Sequence, residues 1–281
     1  MSDPFVSTAW LAEHLGDQDL RILDASWFMP IEGRSGHGEY LERHIPGAVF
    51  FDIDAIADHT TDLPHMLPTP EAFAEAAGKL GLSREGTIVA YDSWGVRASA
   101  RVWWTLRVMG FDNIRVLDGG LKAWLAEGRK VEAGAVAPAP TMVAPKFRPE
   151  LVRDVEAVKG LVNSQAAQLV DARSGPRFRG EAPEPRPGLR SGHMPGALNT
   201  PFDSLINTQG RMRSAPELQA IFEVCGVNLD KPIVTTCGSG VTASVLALGL
   251  ARLGLDRVAV YDGSWSEWGG RSDTEVVTDD A

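Results

Sequence analysis

One thiol lies where an α/β protein does its chemistry. The short β-branched run PIVTT (232–236) passes directly into Cys237-Gly238-Ser239-Gly240-Val241-Thr242-Ala243, and then into the apolar stretch SVLALGLARL (244–253). A strand, a glycine-rich turn and a helix in that order put the turn at the carboxyl end of a strand, where ligands of open parallel sheets bind. Two glycines in four residues let the backbone curl so that several N–H groups point inward. The following helix adds the positive end of its dipole. A sulfur at that focus is expected to ionise readily and act as a nucleophile, and the same N–H groups would hold an anionic sulfur species. The bland alternative is a small buried hydrophobe, but glycines on its flank open the site rather than fill it. The second cysteine, Cys225, lies in the apolar helical stretch LQAIFEVCGV (218–227) and reads as packing.

The elements that must position this loop occur twice. ILDAS (22–26), HIPGAVFFD (44–52), TIVAYDSWGVRAS (87–99) and VLDGGLKAW (116–124) are answered by LVDAR (169–173), HMPGALNTPF (193–202), PIVTTCGSGVTAS (232–244) and VYDGSWSEW (260–268). The order is the same and the offsets lie between 144 and 149 residues, so the chain is an internal duplication. Aligning Gly95-Val96 with Gly240-Val241 sets Asp92 opposite Cys237. One copy therefore keeps the loop without the thiol and is expected to support the other. His44 and His193 recur in both copies, which favours a role in the fold.

Residues 20–24, 87–91, 114–117, 168–171, 232–236 and 258–261 read as buried strands, and 70–80, 96–109, 119–127, 152–163, 215–224 and 241–253 as helices. Their alternation predicts an α/β protein of two tandem domains, each a parallel sheet flanked by helices. The stretch 131–149, rich in Ala, Pro and Gly, reads as a linker between domains at 1–130 and 150–281. The acidic tail after Gly270 is expected to be loose, and the eight tryptophans to serve in core and interdomain packing.

Composition narrows the function. The 281 residues are 44% hydrophobic and 23% charged, with a formal net charge of -10, which excludes a disordered or fibrous chain and argues against nucleic acid or an anionic membrane as main partner. Two cysteines are too few for a disulfide framework and have no zinc spacing. There is no Walker loop or EF-hand pattern, no basic-then-apolar leader and no long apolar run. The expectation is a soluble, cytoplasmic, reduced protein that needs no metal or organic cofactor.

At this point the motifs identify a resemblance. HIPGAVFFDID, HMLP, RVWW and LDGG in the first half, with FRG, GHMPGA, CGSGVTA and YDGSWSEW in the second, make the chain similar to the tandem-rhodanese sulfurtransferases over nearly its whole length. It is most similar to their 3-mercaptopyruvate-using branch. Thiosulfate-using members typically place Arg and Lys after the cysteine, which suits a dianionic donor; here Gly238 and Ser239 carry no charge. The resemblance implies a sulfurtransferase that moves the sulfur of 3-mercaptopyruvate to a thiol such as thioredoxin, or to cyanide, through a Cys237 persulfide, with release of pyruvate. It implies a relay of Ser239, His65 and Asp54, a substrate carboxylate held by Arg179 and Arg186, and loop contacts from Gly238, Gly240, Val241 and Thr242. Arg177 and Arg190 are the substitutes in the arginine-rich segment. With His65 and Asp54 in the first half and the thiol in the second, the resemblance puts the site in an interdomain cleft.

Three rivals remain at this stage. Thiosulfate sulfurtransferase on the same fold differs only in donor. A Cys-based phosphatase needs Arg six residues after the thiol, where this chain has Ala243. A binding module without catalysis would not need the intact thiol loop.

Overall fold

The computed structural model describes residues 3–278. In the first half the order is β1 (Phe5–Val6), α1 (Thr8–His14), β2 (Leu20–Asp24), α2 (Gly36–Glu42), β3 (Val49–Phe50), α3 (Pro70–Lys79), β4 (Thr87–Tyr91), α4 (Ala98–Val108), β5 (Ile114–Leu117) and α5 (Gly120–Ala126). The second half repeats it with β6 (Val152–Arg153), α6 (Val155–Ser164), β7 (Gln168–Asp171), α7 (Gly175–Arg179), β8 (Leu198–Asn199), α8 (Ala215–Val224), β9 (Ile233–Thr236), α9 (Ala243–Arg252), β10 (Ala259–Tyr261) and α10 (Ser264–Trp268).

The sheets are β1-β5-β4-β2-β3 and β6-β10-β9-β7-β8, and every pair is parallel. The same strand order in both makes the duplication a structural fact. The central strands are β4 and β9, whose residues are nearly all buried, as expected for a sheet covered on both faces. The helix that follows each is buried too. All eleven residues of α4 are buried, and its two arginines are accommodated over indole rings: Arg101 lies 4.5 Å from the Trp104 centroid and Arg107 4.8 Å from Trp103.

The six long strands and six long helices expected from periodicity are all present. Their ends differ for local reasons. The Asp154 carboxylate accepts the Ala157 N–H at 2.8 Å, so α6 starts at Val155 and the two residues before the cap extend as β6. Both α4 and α9 start two residues later than the pattern suggests, because Val96-Arg97 and Val241-Thr242 still belong to the loops. The two-residue strands β1, β3, β6 and β8 are too short to carry any periodicity.

Chain contacts divide the molecule into two units, residues 1–58, 67–148 and 206–212, and residues 59–66, 149–205 and 213–281. Two short segments are thus exchanged relative to chain order, and one of them carries His65 into the second unit. The 131–148 stretch has no helix and is pinned along the first unit. Glu132 bridges His44, Thr141 N–H donates to Gly78 O at 2.9 Å and Arg148 N–H to Val108 O at 2.8 Å.

The tail departs from expectation as far as Thr278. Trp268 Nε1 donates to Glu275 O at 2.7 Å, Val277 bridges His193, and the Arg190 guanidinium donates to the Trp268, Gly269, Arg271 and Thr274 carbonyls. Residues 279–281 lie outside the described residues. The recurrent histidines do serve the fold: His44 Nδ1 meets Tyr40 O at 2.8 Å, His193 Nδ1 meets Phe178 O at 2.9 Å, and each ring stacks on that aromatic neighbour. Seven of the eight tryptophans are more than half-buried, whereas Trp94 is 43% exposed. No helix of the described residues is long and apolar enough to cross a membrane.

Candidate active site

The buried strand β9 delivers Cys237 to the carboxyl end of its sheet, 2% exposed. Gly240 turns the loop at φ +79°, in the left-handed region that favours glycine. The loop is held from outside by the start of α10. The Cys237 carbonyl accepts Trp265 N–H at 2.9 Å, and the Gly238 carbonyl accepts Ser266 N–H at 2.8 Å and Ser266 Oγ at 2.7 Å. Cys237 N–H donates to Ser264 Oγ at 3.2 Å. On the helix side Ser244 Oγ donates to Gly240 O at 3.0 Å.

The first unit shows what such a loop binds. There the residue at the thiol's place is Asp92, fully buried, and its carboxylate is the loop's occupant. Oδ1 accepts Trp94 N–H and Gly95 N–H, both at 2.9 Å. Oδ2 accepts Arg97 N–H and Ser99 N–H at 2.8 Å and Ser99 Oγ at 2.7 Å. Five donors converge on one anion. Their counterparts by alignment are Ser239, Gly240, Thr242 and Ser244; Ser244 is spent within the loop, its N–H on Val241 O and its Oγ on Gly240 O, so the N–H groups of Ser239, Gly240 and Thr242 are the ones suited to a thiolate or a persulfide.

A buried ion network reaches the loop from β7. Arg173 is enclosed by the Asp171 carboxylate (Nη2–Oδ2 2.8 Å), by Glu184 (Nη1–Oε1 2.9 Å) and by the Trp265 ring, whose centroid is 4.0 Å away. Burial alone would push the Arg173 guanidinium down, but Asp171 and Glu184 outweigh it and hold it above the ordinary arginine value. The Glu184 carboxylate also binds Arg177 through Nε at 3.2 Å and through Nη2. That Nη2 stands beside the thiol loop: a Cβ at Gly238 would come 3.2 Å from it. A side chain at Gly238 would crowd the arginine, and a cation that the loop's own sequence lacks is supplied by α7.

The arginines of this segment go to different partners. Arg179, expected to face the donor, donates from Nε and Nη2 to Glu181, both at 2.7 Å, with its side chain 40% exposed. The two residues lie on one short helix and project differently, and the one beside the loop is Arg177. Arg190 is committed to the carbonyls of the tail. Arg186 keeps a place near the proposed relay, with Nη2 3.4 Å from His65 Nε2. A guanidinium only donates, so in this contact Nε2 is the acceptor.

His65 itself is 7% exposed and has φ +62°, unusual for a residue with a Cβ. Such backbone persists where surrounding structure fixes it, often at functional positions. Ser239 is also 7% exposed. Asp54 belongs to the first unit, where its Oδ2 accepts Trp27 Nε1 at 2.8 Å. Val241 and Thr242 complete the loop before α9, and Cys225 caps the end of α8 as a free, partly buried thiol.

Sequence reasoning passed over Arg177 as first choice, and it passed over Arg173, Glu184, Ser264 and Ser266. The signal for the serines is in the repeat. YDGSWSEW has two serines where the first copy, LDGGLKAW, has Gly120 and Lys122. A cavity of about 240 Å³ lined by Lys231, Ile233, Gly254 and Arg257 lies at the amino ends of β9 and β10, away from the thiol. Among the described residues no cluster of His, Cys, Asp or Glu could hold a metal ion.

Residues 7–127 and 154–271 match the rhodanese-like domain family. The chain is 46% identical to the 3-mercaptopyruvate sulfurtransferase of Escherichia coli K12, over 97% of each chain. It is 44% identical to the mitochondrial thiosulfate/3-mercaptopyruvate sulfurtransferase 1 of Arabidopsis thaliana, over 98% of this chain and 78% of that one. The crystal structure of SseA from Escherichia coli superposes with a TM-score of 0.87 at 44% identity, covering 94% of this chain and 99% of that one. Two family domains in tandem, on two sheets of one strand order, make this chain a member of the rhodanese family.

Proposed function

We propose that the chain moves the sulfur of 3-mercaptopyruvate to a thiol acceptor by way of a persulfide on Cys237. One observation carries the reading: the only thiol in a repeated loop occupies the position at which the other copy holds an anion with five hydrogen bonds. In the first step the Cys237 thiolate attacks the donor sulfur. The S–S bond forms as the donor's C–S bond breaks, and its electron pair passes to carbon as the pyruvate enolate. Protonation of that carbon gives pyruvate. In the second step an acceptor thiolate attacks the outer sulfur and Cys237 leaves as thiolate, so no external oxidant or reductant is required. A dithiol protein such as thioredoxin, or cyanide, fits the acceptor role.

The donor is an α-keto acid, and its carboxylate needs a fixed cation. Arg177, held by Glu184 beside Gly238, and Arg186, beside His65, supply two guanidinium groups suited to it. Ser239, His65 and Asp54 are proposed to bring the proton to the enolate, and the loop N–H groups to hold the sulfur anion. The relatives named for 3-mercaptopyruvate support this donor, as does a loop without charge of its own. Two free cysteines suit a reducing compartment such as the cytoplasm.

A second donor has support as well. Arg177 puts a cation at the loop that thiosulfate could use, and the Arabidopsis relative is named for both donors. Comparing kcat/KM on the two donors decides between them, and a strong preference for thiosulfate would reverse the assignment. Mass spectrometry after exposure to 3-mercaptopyruvate should find one added sulfur on Cys237. Cys237→Ser should lower pyruvate release by about 10³-fold or more. Pyruvate release at the wild-type rate from that variant would end the persulfide mechanism.

A further inference from the structure

The thiol loop is bonded by the start of α10, whose first residue holds a conformation a serine rarely adopts. Ser264 has φ +48° and is fully buried. Its counterpart in the first unit is Gly120, at φ +54°. Glycine suits that backbone and serine does not. A side chain kept in spite of the strain points to a task for the hydroxyl.

The task is legible in its bonds. Ser264 Oγ donates to Tyr261 O at 2.8 Å, which fixes its direction, and accepts Cys237 N–H at 3.2 Å. Two residues on, Ser266 Oγ and N–H both donate to Gly238 O, while Trp265 N–H takes Cys237 O. Two consecutive carbonyls of the loop are thereby drawn to the α10 side. All peptide bonds are trans. In a trans peptide the C=O and the next N–H point in opposite directions. Holding the carbonyls of Cys237 and Gly238 outward therefore turns the N–H groups of Gly238 and Ser239 to the other side, toward the concave face of the loop. In the first unit the corresponding contact among the described residues is the single bond from Leu121 N–H to Asp92 O at 3.0 Å. There the Asp92 carboxylate organises the loop from within. The second unit has no such internal anion, and the serines clamp the loop from outside.

We propose that Ser266 and Ser264 are positioning residues for sulfur transfer: Ser266 holds the Gly238 carbonyl outward so that Ser239 N–H faces the sulfur, and Ser264 fixes Cys237 N–H at the entry to the loop. The inference rests on Cys237 being the sulfur carrier, but not on the identity of the donor.

The test uses the full-length protein and follows alkylation of Cys237 by iodoacetamide against pH, read on the Cys237 peptide by mass spectrometry. In Ser264→Gly the midpoint of that profile should rise by about one pH unit, since misdirected N–H groups stabilise the thiolate less. With 3-mercaptopyruvate as donor, kcat should fall about tenfold while KM stays within about twofold, the mark of a lost preorganisation rather than lost binding. The thermal midpoint should move little, because glycine relieves the left-handed backbone as the hydroxyl is lost. A wild-type alkylation profile in Ser264→Gly overturns the proposal. If that variant unfolds early, Ser266→Ala decides: it leaves the backbone unstrained, should shift the profile in the same direction by a smaller amount, and an unshifted profile counts against the clamp. A wild-type protein that alkylates normally yet releases no pyruvate would refute the donor reading. Alkylation needs no donor, so it judges the clamp independently.

Discussion

Two copies of one loop in this molecule solve one electrostatic problem in opposite ways. In the first unit the anion is covalently part of the loop: the Asp92 carboxylate takes four N–H groups and a hydroxyl and closes the ring on itself. In the second unit Cys237 stands at that position, Ser264 and Ser266 bond the loop from α10, and the Arg173–Glu184–Arg177 network lies beside it. The same contrast recurs at the preceding strand. Ser26, two residues after Asp24, gives its hydroxyl to the loop as an acceptor for Ser93 N–H at 3.0 Å, whereas its counterpart Arg173 anchors the ion network. A loop filled by its own side chain is a structural joint. A loop whose donors are kept for a guest needs external supports, and those supports are where the two sequences diverge.

The largest effect that would break this comparison is on stability. Asp92→Ala strips the acceptor from several buried N–H groups at once, and should destabilise the fold by about 3–5 kcal/mol. Cys237→Ala removes one small buried group with no comparable network, and should cost about 1–2 kcal/mol. Chemical denaturation of the two variants measures both. Equal losses would show that the loops are supported alike. Activity should follow the reverse order, with Cys237→Ala inactive and Asp92→Ala active wherever it stays folded.

The comparison also explains what the sequence disclosed. The duplication, the parallel sheets and the thiol loop were legible because long buried strands and helices carry periodicity, and because glycines such as Gly240 mark tight turns. The two-residue strands carry none. The swap of residues 59–66 and 206–212 between the units was illegible, since nothing local in a polar loop states which unit it packs on. Arg177 and Arg179 stand one residue apart in an arginine-rich stretch, and only the placement of Glu184 and Glu181 tells them apart. Ser264 was visible in the repeat as a serine facing a glycine, but its meaning required the backbone angle. The tail seemed loose by composition, and is ordered through Arg190, whose partners are carbonyls and so leave no trace in sequence.

A pH experiment sharpens the contrast between the paired aspartates. Asp24 is buried without a cation, and desolvation raises its carboxyl to about 6, against which the bonds to Ser26 work. Asp171, at the same place in the second unit, faces the Arg173 guanidinium at 2.8 Å. Because the folded value of Asp24 lies above its unfolded value near 3.8, the protonated acid stabilises the fold. That stabilisation is complete below about pH 4 and is lost as pH rises through 6. Asp24→Asn mimics the protonated form and keeps an acceptor for Ser26 N–H. It should match the wild type near pH 4 and exceed it by up to about 3 kcal/mol at pH 7. Asp171→Asn should instead lose about 3 kcal/mol at pH 7, since it leaves the buried Arg173 guanidinium with only Glu184, a carboxylate it shares with Arg177. Urea unfolding at the two pH values tests both signs, and a destabilised Asp24→Asn at pH 7 would refute the account of Asp24.

The smallest effect separates two arginines by what they touch. Arg177 Nη2 lies beside Gly238, and its fork is fixed by Glu184, so the remaining N–H edge is directed at the loop. Lysine at that position keeps the charge but loses the planar fork. Arg177→Lys should therefore raise KM for 3-mercaptopyruvate by about tenfold, with kcat changed less, because a carboxylate contact contributes to ground state and transition state alike. Arg179 spends its fork on Glu181 at the surface, where water screens the ion pair and leaves it little weight. Arg179→Ala should leave both constants within about twofold. Steady-state kinetics on the two variants give the ratio directly. If Arg179→Ala were the one to raise KM, the donor's carboxylate would have to approach from the outer face of α7, and the Glu184 network would be left with a purely structural role.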